Sequence, residues 1–348
     1  AFFAYSICGG MGVPWQTALA AVLAAGIVFL LLSLVGIRER LMAAVPPVLV
    51  AGCSGGIGLF IAFIGLEKAG LAVDHPATLV TMGDPLEGAA PYAIGGILLT
   101  GLLVARRVPG ALLISIVSTW ALLVLGGQAD LPERIHARPA LPAETLGCAF
   151  AGLGEILSSP RFATVVLTLI FVDLFDTMGT LLALTTSAGI RREDGTFPRA
   201  GRAFTADAVG TIAGGILGTS TVTSYIESGT GIAAGGRSGL TAVVVGVLFL
   251  LALPLGPLVT GVPAAATAPA LVVVGALMLV PLGRMDFGDP ATALPLLVML
   301  LGMPAFYSIE KGLGLGFITY TVCRGGRVGA VTWIVSLAFL ARFCFLRG

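Results

Sequence analysis

The chain contains no asparagine, only two histidines (His75 and His136) and only two lysines, and its Asp, Glu, Lys and Arg together make up 11% of 348 residues. Soluble domains carry roughly a quarter charged residues. A surface this poor in charge cannot face water throughout, so a water-soluble fold is excluded. Without asparagine there is no N-glycosylation sequon. Two histidines and five scattered cysteines (Cys8, Cys53, Cys148, Cys323 and Cys344), with no C-x-x-C pair, exclude the usual metal centres. The net charge of +1 excludes a basic nucleic-acid face. No nucleophile motif or cofactor fingerprint occurs, so nothing points to an enzyme, and no cofactor is expected.

What fills the chain is apolar. Hydrophobic residues make up 57% and mean hydropathy is +1.03. A helix needs about 20 apolar residues to cross roughly 30 Å of hydrocarbon, and such runs recur. They lie at 15–36, 45–66, 90–106, 108–127, 161–187, 203–218, 238–255, 267–283, 290–306 and 308–323. Two shorter ones lie at 1–12 and 219–235, and a stretch at 328–346 is interrupted by Arg342. The polar insertion at about 128–160 reads as extramembrane. If the segments alternate, 12 basic residues, Arg38, Arg40 and Arg202 among them, fall on one side and 5 on the other. The positive-inside tendency then puts the end of segment 15–36 in the cytoplasm.

The chain also matches itself. At an offset of 220 residues, Gly26–Leu31 lies on Gly246–Leu251, Tyr5 on Tyr225, Gly9 on Gly229 and Gly36 on Gly256. An odd number of segments separates the copies, which predicts an inverted repeat. Two segments precede the second copy and none precedes the first, so the symmetry predicts two further spans ahead of Ala1.

The short glycine-interrupted segments 1–12 and 219–235 occupy corresponding places. Broken helices expose backbone N–H and C=O groups within a membrane, which is tolerated only where they line a cavity or hold a ligand. Gly218–Tyr225 is rich in hydroxyls and β-branched residues and reads as a short strand. Residues 226–232 then open a half-helix with Ser224 as N-cap and Glu227 in its first turn, where free N–H groups can hold a polar edge. In segment 161–187, Asp173, Asp176, Thr177 and Thr180 fall at i, i+3, i+4 and i+7, one polar stripe on an apolar helix. Carboxylates at that depth cost several kcal/mol unless protonated, paired or hydrated. A carboxyl that gains and loses its proton there is a natural coupling element. Asp207, close to Arg202, reads as a surface ion pair. Phe2, Phe3 and Tyr5 fit either stacking on a flat ring or ordinary packing. Trp15, Trp120 and Trp333 read as interfacial anchors.

The strings Ala1-Phe-Phe-Ala-Tyr5, Gly12-Val-Pro-Trp-Gln-Thr-Ala-Leu19, Gly58-Leu-Phe-Ile-Ala-Phe-Ile-Gly65, Phe171-Val-Asp-Leu-Phe-Asp-Thr-Met-Gly-Thr180 and Thr219-Ser-Thr-Val-Thr-Ser-Tyr-Ile-Glu-Ser228 together resemble the AzgA-like adenine/guanine/hypoxanthine permeases of the xanthine/uracil permease superfamily. The resemblance covers essentially the whole chain. It implies an all-α polytopic membrane fold of 14 spans, built as two inverted repeats of seven, with core and gate domains and two broken helices containing short strands. The first two spans would be missing. In that frame residues 1–44 and 161–256 form the core, 45–130 and 257–348 the gate, and 131–160 an extramembrane loop. The implied function is proton-coupled uptake of purine bases by a secondary transporter in the cell membrane. The implied site comprises Asp173, Asp176 and Glu227, with Thr177, Ser224, Tyr225, Phe3, Ala4 and Tyr5 around the base. The expected partners are a purine base, a proton or other cation, and the lipid bilayer, with no nucleic acid; the sequence leaves the oligomeric state open, a homodimer included. The family usually carries an asparagine just before the A-F-F-A-Y string, a position that precedes Ala1. The alternatives are the same architecture carrying xanthine, uracil or an inorganic anion, and more distantly a membrane-embedded enzyme or scaffold. An anion carrier would want a cation in its core, and the carboxylate stripe argues against one.

Overall fold

A computed structural model of the chain describes residues 3, 7–9, 12–132, 134, 137, 143–156, 160–192, 196–225, 228–233 and 235–345. It is overwhelmingly helical, as the apolar runs require, because a helix satisfies its own backbone hydrogen bonds where no water can. In chain order the helices are α1 (Trp15–Leu34), α2 (Ile37–Ala43), α3 (Pro47–Lys68), α4 (Ala90–Ala105), α5 (Ala111–Leu125), α6 (Cys148–Ile156), α7 (Pro160–Ser187), α8 (Ala200–Leu217), α9 (Ser228–Ala233), α10 (Gly239–Ala252), α11 (Gly256–Thr260), α12 (Ala264–Leu277), α13 (Pro290–Ala305), α14 (Ile309–Arg324) and α15 (Ala330–Phe345). The strands among the described residues, β1 (Ala72–His75) and β2 (Leu79–Met82), form one antiparallel hairpin between α3 and α4. Among the described residues, four helical stretches are long and apolar enough to cross a bilayer: Trp15–Leu34, Pro47–Lys68, Gly239–Thr260 and Ala264–Arg284. At 28 residues, α7 is about 42 Å long at 1.5 Å per residue, more than a bilayer core needs.

The chain divides into two compact units. The first comprises Ala1–Ser54, Ala140–Gly229 and Arg284–Gly348. Here α1 is apolar all round and buried at half of its residues, from Ala18 to Leu23 without a break, as suits a helix packed against other helices. Its closest neighbour is α8. A Cβ on Gly26 would stand 3.0 Å from the Ile212 backbone nitrogen, and one on Gly215 would stand 3.2 Å from the Leu23 nitrogen. Small residues let the two backbones approach where no hydrophobic drive against lipid helps them associate. The region expected as an extramembrane loop at 131–160 contains the short helix α6. Ala149 is fully buried with Leu19 and Leu23, and a Cβ on Gly152 would meet the Gln16 carbonyl at 2.7 Å. The polar flanks concealed a helix of small residues too short to register as a span. Phe3 packs against the same apolar cluster.

The second unit comprises Gly55–Pro139 and Thr230–Gly283. Gly58 of α3 lies so near α12 that a Cβ on it would stand 2.8 Å from the Met278 Cβ. Gly96 of α4 packs against Thr119 and Pro269, and Leu123, Ala265 and Ala266 form a small core. Helix α10 has no buried residue; its apolar surface is suited to lipid.

One polar arrangement occurs twice. In the second unit Thr100 of α4 hydrogen-bonds Ser115 of α5, whose hydroxyl also donates to the Gly96 carbonyl at 3.3 Å. In the first unit Thr321 of α14 bonds Ser336 of α15 at 2.6 Å, and Ser336 donates to the Phe317 carbonyl at 3.0 Å. Each of these three residues stands 221 positions after its counterpart. Helix α15, left between crossing and interfacial by its Arg342, is therefore joined to α14 by this bond and by Phe317 against Phe339 at 5.8 Å.

At the start of α13, Asp289 accepts from the Ala291 amide (3.1 Å), the Thr292 hydroxyl (3.0 Å) and Arg324 of α14 (2.6 Å). The Ala291 amide first, then Thr292 and Arg324, hold its carboxyl below the usual range, partly opposed by desolvation. A depressed carboxylate stabilises the fold above its unfolded pKa, and that contribution disappears as pH falls through the folded value. Asp289→Asn should therefore lower the melting temperature of the detergent-purified protein at pH 7. The gap from the parent should close as pH falls below the ordinary carboxylate range, as pH-stepped thermal unfolding would record.

Candidate functional site

The site lies in the first unit, where α7 and α8 run beside a segment without regular structure. Helix α8 ends at Gly218 in the left-handed region (φ 90°), a conformation glycine adopts without the Cβ clash of other residues. The chain then turns back along the helix it has left. Thr219 donates its amide to Gly214 at 2.9 Å, the Thr211 hydroxyl donates to the Val222 carbonyl at 2.9 Å, and the Ser224 backbone amide faces the Asp207 carboxylate. Residues 219–225 thus descend as α8 is retraced, each contact further from the turn. Gly214 makes room for this: a Cβ there would meet Val222 at 2.8 Å and the Ser220 carbonyl at 3.0 Å. The expected strand at 218–225 is not formed among the described residues. The segment pairs with a carbonyl, a hydroxyl and a carboxylate of α8 instead of with a second strand.

Helix α7 presents the polar stripe to this segment. Asp173 is 3% exposed, and Thr177 and Thr180 are buried. The Thr177 hydroxyl contacts the Asp207 carboxylate at 3.1 Å and the Thr223 hydroxyl at 2.9 Å. One carboxyl oxygen of Asp173 is buried with no hydrogen-bond partner among the described residues. Asp173 also lies within electrostatic range of Asp207, Arg38 and Asp176. Asp176 is half-buried on the same helix.

Asp207 and Arg38 correct the sequence reading. Asp207 is 7% exposed and pairs with Arg38 at 2.8 Å; it is no surface partner of Arg202. Arg38, counted above among the cytoplasmic loop charges, is wholly buried. Its guanidinium lies 4.5 Å from the Phe29 ring centroid and 4.7 Å from that of Phe204. It also donates to the Phe204 carbonyl at 3.2 Å. Two aromatic faces, a carboxylate and a carbonyl replace part of the water that a buried guanidinium loses, while its Nε has no hydrogen-bond partner among the described residues. A signal was present in the sequence. Phe204, Asp207, Ala208, Thr211, Gly214 and Gly215 share one buried face of α8, at the same helical spacing that singled out Asp173 and Thr177.

The structure therefore brings together Asp173, Thr177 and Ser224, and adds Asp207, Arg38, Thr211 and Thr223. Tyr225 follows at 63% exposure. Phe3 lies in the apolar cluster of α1. Ala4, Tyr5 and Glu227, like Phe2, lie outside the described residues. An apolar cavity of about 190 Å³ adjoins α7 in the same unit, lined by Leu41, Val45, Leu174, Met178 and Phe317 among others. Its walls offer almost nothing to a hydrogen-bonding edge, so the polar stripe is the candidate site.

The profile of the Permease family (Xan_ur_permease) matches residues 1–310. The chain belongs to this family. The permease is 45% identical to a putative permease of Methanocaldococcus jannaschii, over 97% of this chain and 78% of that one. It is 42% identical to the guanine/hypoxanthine permease PbuG of Bacillus subtilis, over 96% and 76%, and 37% identical to the adenine permease AdeP of Escherichia coli, over 99% and 78%. Among solved structures, the transmembrane domain of a cyanobacterium bicarbonate transporter, BicA, matches with a TM-score of 0.57 at 18% identity, covering 94% of this chain and 75% of that one. At that identity the likeness concerns the fold alone. The permease is thus a multi-pass integral membrane protein and not an enzyme.

Thr177 connects α7, α8 and the 219–225 segment through one hydroxyl. Thr177→Val keeps its shape and removes both bonds, leaving buried oxygens of Asp207 and Thr223 short of a partner. Unfolding of the detergent-purified permease should show a loss of about 1–3 kcal/mol, the usual cost of orphaning buried polar groups.

Proposed function

We propose that this permease is a secondary transporter that moves purine nucleobases, adenine, guanine or hypoxanthine, across the cell membrane in symport with protons. The observation that carries the reading is Asp173, a buried carboxylate with one oxygen unpartnered among the described residues. It stands in a hydroxyl-rich site of a chain whose relatives include guanine/hypoxanthine and adenine permeases. A purine presents ring N–H groups and acceptor nitrogens around a flat ring. A buried carboxylate oxygen is the natural acceptor for an N–H, and backbone amides and hydroxyls of 219–225 suit the acceptor edge. Glu227 supplies a second carboxylate in this reading, and aromatic residues near Phe3 and Tyr5 cover the ring. Protonation of a carboxylate neutralises the site, which lowers the cost of moving it through hydrocarbon and so couples the base to the proton.

The repeated threonine–serine pair, at an offset of 221 residues against the 220 of the sequence match, supports an architecture of two inverted repeats of seven spans. In that architecture residues 1–44 and 161–256 act as the substrate-carrying core, and 45–130 and 257–348 as the gate. An anion as substrate is disfavoured by Arg38, a buried cation in the site that is already neutralised by Asp207.

The test is uptake of radiolabelled adenine, guanine, hypoxanthine, xanthine and uracil by cells lacking their own permeases and expressing this chain, with and without a proton uncoupler. Uncoupler-sensitive uptake of one of the first three is the expected result. Failure of all five to enter, with the chain verified in the membrane, would refute the reading. Asp173→Asn should weaken uptake by about 10²-fold at low substrate, as expected when a buried ligand N–H loses a charged acceptor worth a few kcal/mol.

A further inference from the structure

We propose that Arg38 and Asp207 form a positioning lock for the binding segment: the ion pair fixes the carboxylate from which Thr177, Thr223 and Ser224 take their places. Three observations carry it. The pair is entirely buried on both sides, with a side-chain exposure of 0% for each partner. The guanidinium is held from four directions, by Asp207, by the Phe204 carbonyl and by two phenyl rings. Such a cation has little freedom to move. On its far side the carboxylate faces the site instead of solvent. Asp207 Oδ2 takes Arg38 while Oδ1 takes the Thr177 hydroxyl, and the Ser224 amide faces the same carboxylate.

A buried pair is a poor way to gain stability, since desolvating two charges offsets most of their attraction. It is a good way to specify one arrangement, because every alternative leaves a charge unpaired in a low dielectric. Segment 219–225 has no strand partner and no helix of its own among the described residues. Its place is set by contacts to Asp207, Thr211, Gly214 and Thr177, and of these only Asp207 is itself anchored by a charge. Arg38 and Asp207 are thus assigned as positioning residues; neither need touch the substrate.

The lock predicts a particular kinetic pattern. Arg38→Gln should raise the KM for the transported purine about tenfold or more, equivalent to about 1.4 kcal/mol or more, and Arg38→Lys should recover part of that loss. Arg38→Gln leaves Asp207 unpaired and can fail to reach the membrane. The neutral double variant Arg38→Gln/Asp207→Asn removes both charges and restores folding. If the pair only stabilises, that variant regains parental KM along with parental abundance, which would overturn the proposal. If the pair positions the segment, abundance and melting temperature return while KM stays raised. The inference rests on the transport reading only for this uptake assay. A second measurement is independent of transport: Tyr225→Cys, in a chain with its five native cysteines changed to alanine, is labelled with a water-soluble maleimide. Adding the neutral double substitution should speed labelling severalfold. An unchanged rate would overturn the lock even if no purine is transported, while faster labelling without purine uptake would leave the lock standing and refute only the substrate.

Discussion

Charge buried inside the protein is the constraint around which the described part of this site is arranged. Three carboxylates, Asp173, Asp176 and Asp207, and one guanidinium, Arg38, lie buried or half-buried where α2, α7 and α8 meet. Each must be paired, hydrated or protonated, because isolated ions out of water are prohibitively costly. Arg38 and Asp207 answer the demand by pairing with each other. Asp173 keeps one oxygen without a partner among the described residues. That difference separates a paired part of the cluster from a carboxylate with an oxygen unpartnered among the described residues.

The surrounding helices make the arrangement possible by bringing backbones close. Gly26 and Gly215 let α1 and α8 touch, and Gly214 lets the 219–225 segment lie against α8. Larger side chains at these points would push the segment away from Asp207 and Thr177. Gly218 closes the helix in a left-handed conformation and sends the chain back along it. An irregular backbone at membrane depth thereby finds hydroxyl, amide and carboxylate partners, which is the condition for such a segment to exist there at all.

Some polar links between the described helices join sequence neighbours, where packing and not water expulsion drives association. The threonine–serine pairs of α4–α5 and α14–α15 are examples, each satisfied within its own pair of helices and each adding a bond to a neighbouring carbonyl. They sit at matching chain positions although the surrounding apolar residues differ. Lipid-facing positions accept any apolar side chain, whereas a buried hydroxyl needs its partner at a defined register.

Much of this was legible in the sequence. Scarcity of charge and recurrence of apolar runs determined that the chain crosses a membrane many times, because hydrocarbon tolerates little else. The spacing of Asp173, Thr177 and Thr180 placed them on one face of α7, since 3.6 residues per turn allows no other outcome in a helix. Five strings taken together, those around Asp173 and Ser224 among them, carried the resemblance to the family. Three things were settled by tertiary structure, the second with a partial signal in the helical spacing along α8. Arg38 resembled any basic residue at a helix end until Phe29, Phe204 and Asp207 were seen to enclose it. Asp207 resembled a surface partner of Arg202 because proximity along the chain says nothing about which face of α8 turns inward. Segment 219–225 has the β-branched composition of a strand, but a strand needs a neighbouring backbone, and here α8 itself supplies the partners. Composition and periodicity report what each residue tolerates; which buried charges meet depends on contacts across 30 residues, as between Thr177 and Asp207, or 169, as between Arg38 and Asp207.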